Sequence, residues 1–257
     1  MWLVVTYQPV GLFSLRDSDT TTSGGRSLIL PTPYAVKMAL LDVALRYLGE
    51  EKAESAFGWF RGLQARLRGP RHLVVNNTFI KVFRAPRGKG DESEEDGQNE
   101  GHESGENGAG EGPGLGPPAF ARTVAFRQFI AMGGAFNVAF EVAPLSEEER
   151  DLLGWLLRRI TYFGKRGGFV QLVSAERLES LPRGFGTPLD SSLQRLDEDF
   201  IIQQTDDMGR EMSFQKALIT GTQKVRLGKD RMITPVLHPY KVRRASRGYT
   251  WMERQTT

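Results

Sequence analysis

Three observations predict an α+β fold whose elements run β-α-β-β-α-β. An apolar, β-branched opening run, Trp2 to Gln8, leads into two segments with helical apolar spacing. Two strand-like stretches, His72 to Arg84 and Ala119 to Val142, flank a polar insert. A capping-box sequence then opens a helix that leads to a last strand-like run, Gly167 to Val173.

Each element has its own local warrant. After the first strand, Gly11 to Ser27 is a Ser/Thr/Gly-rich loop bearing Arg16 and Arg26. Thr32 then precedes Pro33, an N-cap followed by proline at the first helical position. The helix they open runs to about Gly49, with Asp42, Arg46 and Glu50 as a wet stripe on an apolar cylinder. A second helix is expected from about Glu51 to Leu67, with Ala53, Ala56, Phe57, Phe60 and Leu63 at helical spacing and Gly69-Pro70 as its stop. Gly133-Gly134 interrupts the stretch from Ala119 to Val142 as a bulge or turn. Ser146 and Glu149 form the capping box of a helix reaching about Ile160.

That order is the ferredoxin-like split βαβ motif, an antiparallel sheet with both helices on one face, a topology also used by RNA-recognition modules. It assigns residues 1–175 to one domain. Residues 176–257 are read as a basic extension packed on that core, with short strands expected around Phe200 to Gln204 and Lys216 to Val225.

Charge is unevenly distributed. The 257 residues carry 34 Lys+Arg and 31 Asp+Glu, a formal net charge of +3. Nine of the acids lie between Gly90 and Pro118, which contain no Lys or Arg. The rest of the chain sets 34 basic residues against 22 acids, a net of +12, as a polyanion binder would. Residues 87–118 hold ten of the 29 glycines, with Leu115 as their one large aliphatic side chain, and are expected to be disordered. The insert reads as a solvated loop, or as an acidic strand competing with nucleic acid for the basic body.

Composition also excludes classes of chemistry. With no cysteine there is no disulfide, thiolate nucleophile or Cys-ligated zinc, and three histidines argue against a His-rich metal site. No signal peptide and no 18-residue apolar run is visible, so a soluble, cytoplasmic protein without a membrane segment is expected.

Three basic regions are candidates for RNA binding. The sharpest is Tyr162 to Phe169, where Lys165 and Arg166 stand beside Gly164, Gly167 and Gly168. Glycines let backbone approach a phosphate, the cations neutralise it, and flanking aromatics stack bases. A flexible helix-to-strand connection with a basic tip is the competing reading. The second region comprises Lys81 and Arg84 before the insert and Arg122 and Arg127 after it, four cations on a hairpin ribbon or ordinary edge-strand charges. The third is the stretch from Lys224 to Thr250, with eight Lys/Arg including Arg243 and Arg244, one acid, and Tyr240 and Tyr249 interleaved before Trp251. A solvated terminus is its alternative. The acidic group Asp197, Glu198, Asp199, Asp206 and Asp207 lacks calcium-loop spacing and reads as a solvated face. No metal, cofactor or catalytic residue is assigned.

Phe13-Ser14-Leu15-Arg16, together with Leu28-Ile29-Leu30-Pro31-Thr32-Pro33-Tyr34-Ala35-Val36-Lys37-Met38-Ala39-Leu40-Leu41, resembles the opening of the Cas-five family of CRISPR-associated RAMP proteins. The Phe163 to Phe169 stretch looks like the glycine-rich loop of the wider RAMP superfamily. The resemblance covers the first 50 residues and, more loosely, that loop.

The resemblance implies a non-catalytic, crRNA-binding subunit of a type I Cascade surveillance complex. Such a subunit caps the crRNA 5′ handle, contacts the large subunit and the adjacent backbone subunit, and meets target DNA only indirectly. It also implies a thumb-like hairpin on the ferredoxin-like core, for which the ribbon flanking the acidic insert is the candidate; the insert itself departs from the family pattern. Arg16 and Lys37 join the expected RNA-binding residues on this ground. One branch of the family cleaves precursor crRNA with Tyr, Lys and His side chains. Tyr34 with Lys37, or Tyr240 with Lys241 and His238, would be the counterparts here, but no motif supports the transfer. An endoribonuclease and a backbone-type RAMP subunit are the alternatives.

Overall fold

The computed structural model describes residues 1–16, 25–84, 121–164, 168–189, 199–218 and 223–255. The acidic insert and its expected disorder lie outside these residues. Contacts divide the chain into two compact units, residues 1–78 with 126–257, and residues 79–125.

The chain opens with β1 (Trp2–Pro9), then the two-residue strands β2 (Leu15–Arg16) and β3 (Ser27–Leu28), which pair antiparallel. Helix α1 (Pro33–Leu48) begins as its sequence dictates: Thr32 Oγ1 accepts the Ala35 N–H at 3.2 Å, and Pro33 occupies the first turn. Helix α2 (Glu50–Phe60) follows across Gly49 and buries Ala53, Ala56, Phe57 and Phe60. It stops well short of Leu67. The next segment is instead a strand, β4 (Ala65–Arg68). Leu63 and Leu67 are both buried, but four-residue spacing satisfies helical and alternating patterns alike, and pairing with a neighbouring strand decided for the strand.

Two long strands come next, β5 (His72–Arg84) and β6 (Ala121–Met132), followed by β7 (Phe136–Glu141). The interruption expected at Gly133-Gly134 separates the strand-like stretch from Ala119 to Val142 into two strands, β6 and β7. Helix α3 (Glu147–Leu157) carries the expected reciprocal box: Glu149 N–H donates to Ser146 Oγ at 3.2 Å, and Ser146 N–H to Glu149 Oε2 at 2.9 Å. After it come β8 (Val170–Leu178), β9 (Thr187–Pro188), β10 (Ile201–Met208), the single-turn α4 (Phe214–Ala217), β11 (Arg231–His238), β12 (Tyr240–Ala245) and β13 (Tyr249–Arg254). The strand expected from Lys216 to Val225 is thus absent among the described residues of that stretch, and Lys216 closes the helical turn that Ser213 caps.

The first four-stranded sheet has the order β4-β7-β1-β8, and every neighbouring pair is antiparallel. Its two β-α-β passages interleave, so β7 lies between β4 and β1, and β1 between β7 and β8. The core strand after the helices is thus β4, not the His72 to Arg84 stretch. Leu3, Val5 and Tyr7 share one face with Phe136, Val138 and Phe140, and join one core with Val36, Leu40 and Val43 of α1 and Leu153, Leu156 and Leu157 of α3. Alternate residues Val4 and Ala139 face the other way, under Phe185.

β5 and β6 belong to another sheet, of order β12-β13-β5-β6, and β10-β11-β9 form a third. Within the first unit the C-terminal segment is tied to the N-terminal one by buried polar contacts. Gln203 Oε1 accepts the Ile29 and Leu30 N–H groups at 2.8 and 3.3 Å, which positions the entry to α1.

Candidate nucleic-acid interface

Antiparallel register assigns the faces of the β12-β13-β5-β6 sheet. Met252 lies opposite Leu73, both buried, so this face looks into the core. The adjacent positions point outward: Trp251 opposite Val74, Tyr249 opposite Asn76, and Glu253 opposite His72. On β12 an irregularity between Val242 and Arg244 turns Arg244, paired with Trp251, onto the same outer face as Lys241, paired with Glu253. The Trp251 and His72 rings lie 5.9 Å apart at 40°. The outer face thus interleaves cations with rings, a combination that suits phosphates and unstacked bases.

Not all of its cations are equally available. Lys241 Nζ lies 2.8 Å from Asp199, and Arg243 Nε 2.8 Å from Glu253. Arg71 also holds Glu253, and hydrogen bonds from Arg71 and then Arg243 keep that carboxyl below the usual carboxylate range. Arg244 and Arg247 are exposed and make no ion pair among the described residues. Among the described residues, they are the cations of this face that can neutralise a phosphate without first losing an ion pair.

The glycine-rich connection after α3 is closed at its base. Tyr162 bridges Phe169, and Phe163 N–H donates to the Gly168 carbonyl at 3.0 Å. Phe163 is fully buried, edge-on to Tyr7 with ring centroids 5.1 Å apart, so it anchors the loop instead of offering a stacking surface. Phe169 is exposed and Gly168 buried. Lys165, Arg166 and Gly167 lie outside the described residues. Gly164 adopts φ 72°, and a Cβ there would run into the Leu15 side chain. This close approach brings the loop's start to a cavity of about 360 Å³ beside the N-terminus of α1, lined also by Arg16, Tyr34 and Arg231. Arg231 stacks on the Tyr34 ring at 4.5 Å and pairs with the buried carboxylate of Asp206.

The other expected residues divide sharply. Arg16 is exposed on that cavity's rim, Lys81 is exposed, and Arg127 is half-buried on β6. Arg84 and Arg122 fall within β5 and β6, but their side chains lie outside the described residues. Lys37 is a correction. Its side chain is 1% exposed, with Nζ 2.6 Å from Asp207 and 2.8 Å from the Arg61 carbonyl, so it cannot reach an RNA phosphate. Asp206 and Asp207, read as a solvated acidic face, are the partners of Arg231 and Lys37.

Tyr240 is also buried, its hydroxyl donating to the Pro70 carbonyl at 2.6 Å, and burial raises its pKa. His238 is buried, and burial alone pushes its imidazole down to about 4. His72, which joins the outer face, was not singled out in the sequence. Alternation along His72-Leu73-Val74 was its one available signal.

No family model matches the chain. Over 81 residues, 31% of the chain, it is 30% identical to a CRISPR-associated protein Cas5 of Archaeoglobus fulgidus. The expected resemblance to Cas5 proteins is borne out over this stretch. The match spans 36% of that relative's length. The crystal structure of a CRISPR protein from Archaeoglobus fulgidus aligns with 99% of the Cas5-like chain and 92% of its own, at a TM-score of 0.48 and 11% identity. Among the described residues of the Cas5-like chain, no helix is long and apolar enough to cross a membrane. None of these residues form a group of three or more that could hold a metal ion.

Proposed function

We propose that this Cas5-like chain is a non-catalytic RNA-binding subunit of a type I Cascade complex. In this reading it holds the crRNA 5′ handle and contacts the large and backbone subunits. The observation that carries it is the outer face of the β12-β13-β5-β6 sheet, where Arg244 and Lys241 alternate with Trp251, Tyr249 and His72. The similarity to a Cas5 protein supports the CRISPR assignment. The interleaved order β4-β7-β1-β8 supports a ferredoxin-like core, because that motif sandwiches each strand pair in the same way. Burial of Lys37, Tyr240 and His238 favours binding over cleavage, since a general acid or base has to reach the bond it acts on.

The test is retention of RNA by the assembled complex carrying Arg244→Glu and Trp251→Ala together. Loss of crRNA from a complex that still contains the subunit is expected. Full RNA occupancy in that complex would overturn the reading.

A further inference from the structure

The face of the first sheet opposite the helices carries a second basic feature, unrelated to the three read from the sequence. Register places Arg66 opposite Ala139 and Arg68 opposite Asn137, both on the side that Val4 and Phe185 occupy. The segment after β8 crosses this face, with Gly186 N–H donating to the Leu67 carbonyl at 2.8 Å. At Gly184, β4 and β13 converge: a Cβ there would lie 3.3 Å from Arg68 Cδ and 3.4 Å from Arg254 Cζ. Beside them opens a cavity of about 390 Å³ lined by Arg66, Arg183, Gly184, Phe185, Phe200 and Gln255, among others.

Arg66 and Arg183 line this cavity, and Arg68 and Arg254 meet at its Gly184 wall, where Arg68 Nε donates to Asn137 Oδ1 at 2.9 Å. None of Arg66, Arg68, Arg183 or Arg254 makes an ion pair among the described residues. The Nε atoms of Arg66 and Arg254 are buried without a hydrogen-bond partner. Burial, and then the Arg254 charge, lower the pKa of Arg68, and Glu176 only partly opposes them. Arg66 lies over the Trp2 ring at 5.7 Å and Arg68 over the Phe185 ring at 5.1 Å. Buried donors without acceptors are costly, and like charges held together add to that cost. An anion relieves both, and a phosphate, with several acceptor oxygens, matches guanidinium geometry.

We infer that this arginine-lined cavity is a binding site for a phosphate group, carried by a free nucleotide or by an RNA chain. Its volume admits a mononucleotide, with Phe185 and Phe200 supplying apolar wall. The inference does not depend on the RNA-binding face described above.

The test is thermal unfolding of the full chain in sodium phosphate against sodium chloride at matched ionic strength, repeated with adenosine 5′-monophosphate. At roughly ten times its Kd a ligand should raise Tm by about 2–4 °C. Arg66→Gln should weaken the apparent affinity about tenfold or more. Arg183→Gln, at an exposed position the fold does not need, decides the matter if Arg66→Gln does not fold. No rise in wild type, or a rise that persists undiminished in Arg183→Gln and in any folded Arg66→Gln protein, overturns the inference. Arg244→Glu should leave the rise intact, which separates this site from the sheet face. Displacement of labelled RNA by the nucleotide would assign the cavity to the RNA path. Simultaneous binding of both would assign it to a free nucleotide.

Discussion

Lys37 on α1 and Asp207 on β10 meet at 2.6 Å, joining the first helix to the C-terminal segment across 170 residues of sequence. Burial drives the lysine pKa down and the aspartate pKa up, and the attraction between them opposes both shifts. The Lys37 side chain is almost fully enclosed, whereas Asp207 keeps 36% exposure, so removing the lysine leaves a carboxylate that water can partly solvate. Lys37→Ala is therefore expected to cost about 3 kcal/mol, the lower end for a broken buried pair. Denaturant unfolding measures it, and RNA affinity per folded molecule should not change.

On the outer sheet face, Arg244 is a cation without an ion-pair partner among the described residues, and Trp251 is a ring 37% exposed. Trp251→Ala should weaken single-stranded RNA binding by about 1–3 kcal/mol, with little change in salt dependence. Arg244→Gln should weaken it and reduce the slope of log affinity against log salt by about 0.7. Filter binding across a salt series checks both.

Buried His238 gives the protein a pH dependence. Its folded pKa of about 4 lies below the unfolded value, so the unfolded chain binds the extra proton. The stability it contributes is fully present above about pH 6.5 and is lost as pH falls toward 4, about 3 kcal/mol in all. Urea unfolding between pH 4 and 7 should show this loss, and His238→Leu should flatten it.

Gly164 holds the glycine-rich loop against Leu15 in a conformation L side chains resist. Gly164→Ala is expected to cost about 1–2 kcal/mol from the left-handed backbone, with the Leu15 contact adding to it. Lys165→Glu with Arg166→Glu should instead leave stability nearly unchanged while lowering RNA retention. Unfolding curves and RNA content of the same preparations distinguish the two effects.

The non-catalytic reading is checked by incubating the full chain with a labelled repeat RNA in the absence of metal. Intact RNA is expected. Discrete cleavage products abolished by His238→Ala would establish an endoribonuclease instead.

Local chemistry was the legible part of this protein. Thr32-Pro33 and the Ser146-Glu149 box start their helices as read, because a cap is made by residues adjacent in sequence. The apolar, β-branched run from Trp2 to Gln8 likewise marked β1. The sequence misleads where spacing serves two periods, as at Leu63 and Leu67, and at Lys37, which the resemblance places among the RNA-binding residues and the fold buries.

The amino-acid sequence by itself determined the helix starts, the opening strand, the uneven charge and the resemblance to Cas5 proteins. Only the tertiary structure decided which strands are neighbours, and with that which charges are available. Arg243 and Lys241 acquire acidic partners and Lys37 is buried, while Arg66, Arg68 and Arg254, scattered through the sequence, converge with no ion pair among the described residues. A side chain's chemistry is local, but its solvation and its partners are set by segments far away in the chain.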